Sequence, residues 1–215
     1  MVRNKIYAIV EGQGEANRPI AGGRSAVAVL IQKLLMDLHC WSLFPVEKTP
    51  PFRMSYSEFF RGDKFERAIR YHKNLDDCAA LLVLLDMDDD CPKTQAFALA
   101  KRIAAMESLP FSVVIVCARK EYESWFLASL ESIHDGERYD HDPEEIRDAK
   151  GWLRKKFGYK PTIHQARYTQ KIDPTIAYAK SRSFRRLYHA FEEIVAAVAD
   201  GGSVITPVVT SKKGQ

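Results

Sequence analysis

Cysteine is scarce in this chain, and the few residues present are scattered. Cys40, Cys78, Cys91 and Cys117 form no C-x-x-C pair. That spacing argues against a disulfide framework or a zinc site and for reduced thiols in a cytoplasmic protein. No apolar stretch reaches the roughly 18 residues that a membrane span needs, so no membrane association is expected. Met1-Val2-Arg3-Asn4 runs straight into an apolar strand, and no signal peptide is expected. A G-x-x-x-x-G-K-S/T loop is missing, as is a convincing G-x-G-x-x-G, so a nucleotide cofactor is not indicated. His72, His134, His141, His164 and His189 fall at no metal-ligand spacing and read as surface or core histidines. There is no internal repeat and no low-complexity tract.

What is present is a chain of 215 residues with an apolar fraction of 46%. That suits one large domain, or one domain with an appendage, and a sizeable core. Three short apolar runs end in acids. Lys5 to Val10 stops at Glu11-Gly12-Gln13-Gly14-Glu15, Ala79 to Leu85 stops at Asp86-Met87-Asp88-Asp89-Asp90, and Phe111 to Ala118 leads into Glu121-Tyr122-Glu123. Continuous apolar runs bounded by turn residues read as buried parallel strands. Open parallel sheets bind ligands beyond the carboxyl ends of their strands, where these acids fall. Two unit charges about 4 Å apart repel by roughly 4 kcal/mol at an effective dielectric near 20, so such a cluster must be solvated, protonated or filled with a cation.

Between the strands the apolar period changes. Val27, Leu30, Ile31, Leu34, Leu35 and Leu38 line one face of a helix. Trp41 to Val46 predicts a strand ended by Pro50-Pro51, and residues 56–74 predict a helix. Pro92 suits the first turn of a helix that ends before Pro110, and residues 122–133 predict another. The alternation implies right-handed βαβ crossovers and an α/β fold, with a Rossmann-like, mostly parallel sheet flanked by helices. It fades near residue 134. Residues 134–148 read as a polar, acidic loop, and short helices are expected in the basic stretch beyond it. A final helix at 184–199 stops at Gly201-Gly202, and Val204 to Val209 predicts a last strand before a frayed end. The expected division is a core at 1–133 and a basic, mainly helical extension at 134–215.

Charge is distributed unevenly. Residues 1–149 carry 19 Lys and Arg against 24 Asp and Glu, whereas residues 150–189 carry 11 basic residues and one acid, Asp173. An acidic site beside a basic segment is what a metal-dependent enzyme acting on a polyanion needs. Lys155, Lys156, Lys160, Arg167, Lys171, Arg182, Arg185 and Arg186 are the candidate nucleic-acid contacts. They are interleaved with Trp152, Phe157, Tyr159, Tyr168 and Phe184, aromatics that either stack on bases or belong to the core.

Asp86-x-Asp88 is the strongest local signal, since residues two apart in a strand share a face and can converge on a hard cation. Gly12 and Gly14 permit a close approach at Glu11 and Glu15, which could serve the same ion or a second one. Glu121 and Glu123 would diverge by about 200° on a helix, so both reach one site only where the segment is not helical.

The Val10-Glu11-Gly12-Gln13-Gly14-Glu15 and Leu85-Asp86-Met87-Asp88 segments resemble a Toprim (topoisomerase–primase) domain. Glu121-Tyr122-Glu123-Ser124-Trp125-Phe126-Leu127 and Ser183-Phe184-Arg185 resemble motifs of a Toprim-like family whose genes often accompany ABC-type ATPases in phage-defence loci. The resemblance implies Glu11 as general acid/base or first metal ligand, and Asp86 and Asp88 as ligands of Mg²⁺ (or Mn²⁺). Lys150 resembles a family lysine and would stabilise a scissile phosphate. The implied activity is metal-dependent phosphodiester cleavage of DNA or RNA, with an ABC-type ATPase as partner. The rival reading is a catalytically silent subunit of the same fold that docks on an ATPase or binds nucleic acid.

Overall fold

The computed structural model describes residues 2–16, 23–47 and 49–209. Within them, six strands form one parallel sheet. Its body is β1 (Lys5–Val10), β4 (Cys78–Asp86) and β5 (Ser112–Ala118). The two-residue strands β2 (Phe44–Pro45) and β3 (Phe52–Arg53) both pair with β1, at Lys5 and Ile6 and at Ile9 and Val10 respectively. β6 (Ile205–Thr206) pairs with β5 at Val113 and Val114. The spatial order is β2-β1-β4-β5-β6, so the chain leaves β1 in one direction and returns to cross to β4 on the other side.

Alternate residues of the strands feed two cores, which is why both faces of the sheet are apolar. Ile6, Ala8 and Val10 of β1, with Ala80, Leu82 and Leu84 of β4, face α2 (Ala26–Asp37) and the C-terminal helices. Ile9, Leu81, Val83 and Leu85 face α3 (Tyr56–Phe60), α4 (Lys64–Lys73) and α5 (Pro92–Ala104). The C-terminal helices are α6 (Ser124–Ala128), α7 (Leu130–Ile133), α8 (Ala149–Phe157), α9 (Pro161–Lys171), α10 (Pro174–Lys180) and α11 (Arg182–Ala199). One core runs from β1 to α11, because Leu153, Tyr159, Tyr168, Phe184 and Phe191 pack into the same cluster as the strands. Those aromatics, with Trp152 and Phe157 packed at its margin, are core rather than a platform for bases.

Capping residues place the helix ends. Ser25 accepts the Ala28 amide, Asp148 the Gly151 amide, and Ser181 the Phe184 amide. Gly158 ends α8 in the left-handed region at φ 65°. Several boundaries differ from the sequence expectation. The helix expected over 56–74 breaks at Gly62, whose φ of 67° no helix can carry. Only Phe44–Pro45 of the strand expected over 41–46 pairs, and a strand the sequence did not signal forms just past Pro50-Pro51. The helix expected over 122–133 is a turn followed by two short helices, and the last strand contracts to two residues. The expected frayed end falls on residues 210–215, outside the described residues.

The two C-terminal motifs meet in this core. Trp125 is fully buried, its Nε1 donates to Ser183 Oγ at 2.8 Å, and its ring contacts Tyr122 and Phe184. Arg185 donates to the carbonyls of Tyr178 and Ala179, which closes the end of α10. Ser183-Phe184-Arg185 thus locks α11 and α10 onto the turn that carries Glu121 and Glu123. Trp125→Ala is expected to cost about 3–5 kcal/mol, because it removes a large core ring and one of the hydrogen bonds of a buried hydroxyl. Denaturant unfolding would measure this, and a cost under about 1 kcal/mol would mean the ring is not a keystone.

Candidate functional site

The switch in strand order lies between β1 and β4, the place where open α/β sheets form their ligand crevice as the loops after two neighbouring strands diverge. Glu11 follows β1, with its amide bound to the Leu84 carbonyl at 3.2 Å. Asp86 is the last residue of β4, and its Oδ1 accepts the Tyr122 amide at 2.9 Å. Glu15 sits on α1 (Gln13–Ala16), folded back under the loop and 5% exposed. This fold-back explains the glycines. A Cβ on Gly12 would lie 1.6 Å from Glu15 Oε2, and one on Gly14 would lie 1.5 Å from Gln165 Oε1.

Glu121 and Glu123 follow β5 in a turn rather than a helix, and both reach Lys150. Lys150 Nζ lies 3.7 Å from Glu121 Oε1 and 3.9 Å from Glu123 Oε2. The Lys150 amide also donates to Glu121 Oε2 at 2.9 Å. Its ammonium, expected at a phosphate, is committed here to two carboxylates. Asp88 lies at the exposed rim with φ 43°, so it does not continue the strand face of Asp86, although its charge reaches Glu11. Asp89 is held by Lys120 at 2.9 Å and Arg147 at 3.1 Å.

Burial and mutual repulsion raise the acids together. Burial pushes Glu11 up to about 7, helped by Asp88 and Glu15, while backbone hydrogen bonding from Asp86 and Tyr56 opposes it. Burial likewise lifts Glu123 to about 7, with Lys150 opposing and Glu15 and Glu121 adding. Asp86 is pushed well above the usual carboxylate range by burial and by Glu15, Glu123 and Glu11, with Lys150 opposing. Glu15 is raised by burial against the pull of Gln165, Lys150 and Arg53. Burial would lower Lys150, but Glu123 and Glu121 more than reverse it.

Among the described residues, Glu11 Oε2, Glu15 Oε2 and Glu123 Oε2 are buried without a hydrogen-bond partner. An orphaned carboxylate oxygen is costly unless a proton or cation serves it. The donors are all oxygens, the set a hard cation such as Mg²⁺ selects. No group of three or more His, Cys, Asp or Glu among the described residues already stands in an ion-holding arrangement, so loading requires side-chain movement.

Three neighbours of the acids carried no sequence signal for that role. Gln165 on α9, fully buried, donates to Glu15 Oε1 at 2.5 Å from 150 positions away. The Tyr159 hydroxyl donates to Glu123 Oε1 at 3.0 Å. Tyr56 is a third such neighbour, with its hydroxyl on Asp90 and its backbone facing Glu11.

The candidate nucleic-acid contacts divide by their partners. Lys155, Lys160, Arg167 and Arg182 are exposed. Lys156 pairs with Glu137 and lies 5.3 Å over the rings of Trp152 and Phe157. Lys171 binds the Ile133 carbonyl at 3.1 Å, Arg185 caps α10, and Arg186 lies 3.9 Å from Glu193. No helix among the described residues is long and apolar enough to cross a membrane.

No curated protein and no solved structure matches this chain. One family does match, and its span of residues 10–192 takes in every acid of the crevice, Lys150 and Gln165. The chain therefore belongs to DUF4276, a family described as a domain of unknown function.

Proposed function

We propose that this chain is a Toprim-like phosphodiesterase that cleaves nucleic acid with Mg²⁺ or Mn²⁺ in the cytoplasm, as the partner of an ABC-type ATPase in phage defence. The observation that supports it most is the nearness of Glu11, Glu15 and Glu123 to Asp86, with buried oxygens of Glu11 and Glu15 that have no hydrogen-bond partner. A bound divalent ion would activate water and neutralise charge on the phosphate. The ligands would come from Glu11, Glu15, Asp86 and Asp88, with Glu121 and Glu123 at the far side. Where Glu11 is not itself a ligand, it stands beside them as the general base for the attacking water. Gln165 and Tyr159 fix Glu15 and Glu123, and Lys150 offsets their charge. Exposed Lys155, Lys160, Arg167 and Arg182 would meet the phosphate backbone.

One observation favours the rival, a silent docking subunit. Lys150 already compensates Glu121 and Glu123. The deciding experiment incubates purified protein with labelled single-stranded DNA, duplex DNA and RNA, with Mg²⁺, Mn²⁺ or EDTA. Cleavage that needs the metal is expected. No cleavage with either metal, together with no metal-induced rise in melting temperature, would select the docking reading.

A further inference from the structure

We infer that Arg53 on β3 is the side chain that binds a phosphate group of the substrate, an assignment that rests on the phosphodiesterase reading. Carboxylates packed at the strand ends repel any phosphodiester, and beside a bound metal ion a cation of the protein can hold further phosphate oxygens. Among the described residues, the cations beside the cluster differ in how far they are committed. Lys150 is held by Glu121 and Glu123. Lys120 is buried and bound to Asp89, and Arg147 shares that carboxylate.

Arg53 is placed differently. Its register partner on the neighbouring strand is Val10, so it lies next to Glu11 at the carboxyl edge of the sheet. Its Nε donates to the Glu11 carbonyl oxygen at 3.4 Å, which tethers the side chain at the crevice. Among the described residues no hydrogen bond or ion pair takes up its two terminal amino groups, and the residue is exposed. Its charge is felt at Glu15, on the inner side of the loop. A planar guanidinium presents a fork that matches two phosphate oxygens, and a tethered one loses less freedom on binding. β3 is the strand that no sequence signal announced, and carrying Arg53 to the crevice is the role this assigns it.

The test compares wild type with Arg53→Ala and Arg53→Lys. Binding of a short fluorescent single-stranded oligonucleotide is read by anisotropy in Ca²⁺, and cleavage is read separately in Mg²⁺ and Mn²⁺. Arg53→Ala is expected to weaken binding about tenfold, and Arg53→Lys to recover only part of it, because a point charge replaces a fork. Melting curves should superimpose, since the side chain is exposed. Equal affinity of wild type and Arg53→Ala would overturn the assignment, and if both cleave, the phosphodiesterase reading would stand without it. Arg53-dependent binding with no cleavage would keep the assignment as an anion contact and remove the hydrolytic reading. No binding by wild type at low salt would overturn both.

Discussion

Asp86→Asn is expected to reduce metal-dependent cleavage by at least about 100-fold while leaving the fold intact. Asp86 ends β4 at the switch in strand order and is surrounded by Glu11, Glu15 and Glu123. It is the carboxylate that an ion bound among them would meet. Asparagine keeps the shape, and its Oδ1 still accepts the Tyr122 amide that Asp86 accepts at 2.9 Å. What disappears is a charge that burial and its neighbours already disfavour. The metal-free variant should therefore melt at the same temperature as wild type or higher. Calorimetry in EDTA beside a cleavage assay in Mn²⁺ checks both halves. A lower melting temperature in EDTA would assign Asp86 a structural role, and retained cleavage would remove it from the metal site.

The second large effect is a pH dependence of stability that a metal ion should cancel. Glu123 is buried, and its pKa rises to about 7 in the folded chain from the 4.5 of an unperturbed glutamate. The folded state thus keeps a proton that the unfolded state has lost over that interval. Stability is then greatest near or below pH 4.5 and declines as pH rises through about 7. A tenfold change in proton affinity corresponds to about 1.4 kcal/mol, so Glu123 alone contributes about 3 kcal/mol to this decline. Glu11 acts in the same direction, reduced by its partial exposure to water. Exposed acids such as Glu58 and Glu107 are held low by Lys64 and Lys73. They lose stability only below their unfolded values, but His72, His134 and His164, which burial lowers, oppose the trend below about pH 6.5, so the crevice is read over about pH 5.5 to 8 as the difference between wild type and Glu123→Gln.

In EDTA the melting temperature of wild type should fall by about 5–10 °C relative to Glu123→Gln across that interval. Mg²⁺ or Mn²⁺ competes with the protons, so saturating metal should restore more of the melting temperature at about pH 8 than at about pH 5.5. Glu123→Gln should flatten the slope in EDTA. Parallel pH profiles of wild type and Glu123→Gln in EDTA would mean that Glu123 is solvated and ordinary.

The sequence by itself determined the sheet and the address of the site. Apolar runs such as Ala79 to Leu85 leave a chain few alternatives to a strand buried on both faces, and the helical periods between them impose parallel crossovers. Glu11, Asp86 and Glu121 sit where those runs stop, and a strand delivers its next residue to the sheet edge whatever the rest of the chain does. That is a local rule, so it was legible. Tertiary structure decided which groups meet there. Gln165 reaches Glu15 across 150 positions, and Tyr159 reaches Glu123 across 36, because α8 and α9 pack against the turn after β5 and the loop after β1. Whether the aromatics of the basic stretch faced water or core was also open in the sequence, since one pattern of rings serves either use. Packing against Trp125, Phe126 and the strands turned Tyr159, Tyr168 and Phe184 inward. Glu121 and Glu123 share Lys150 because Tyr122, held by its buried ring and its amide on Asp86, keeps that segment a turn, and residues so far apart in the chain act on one another only once the core has closed.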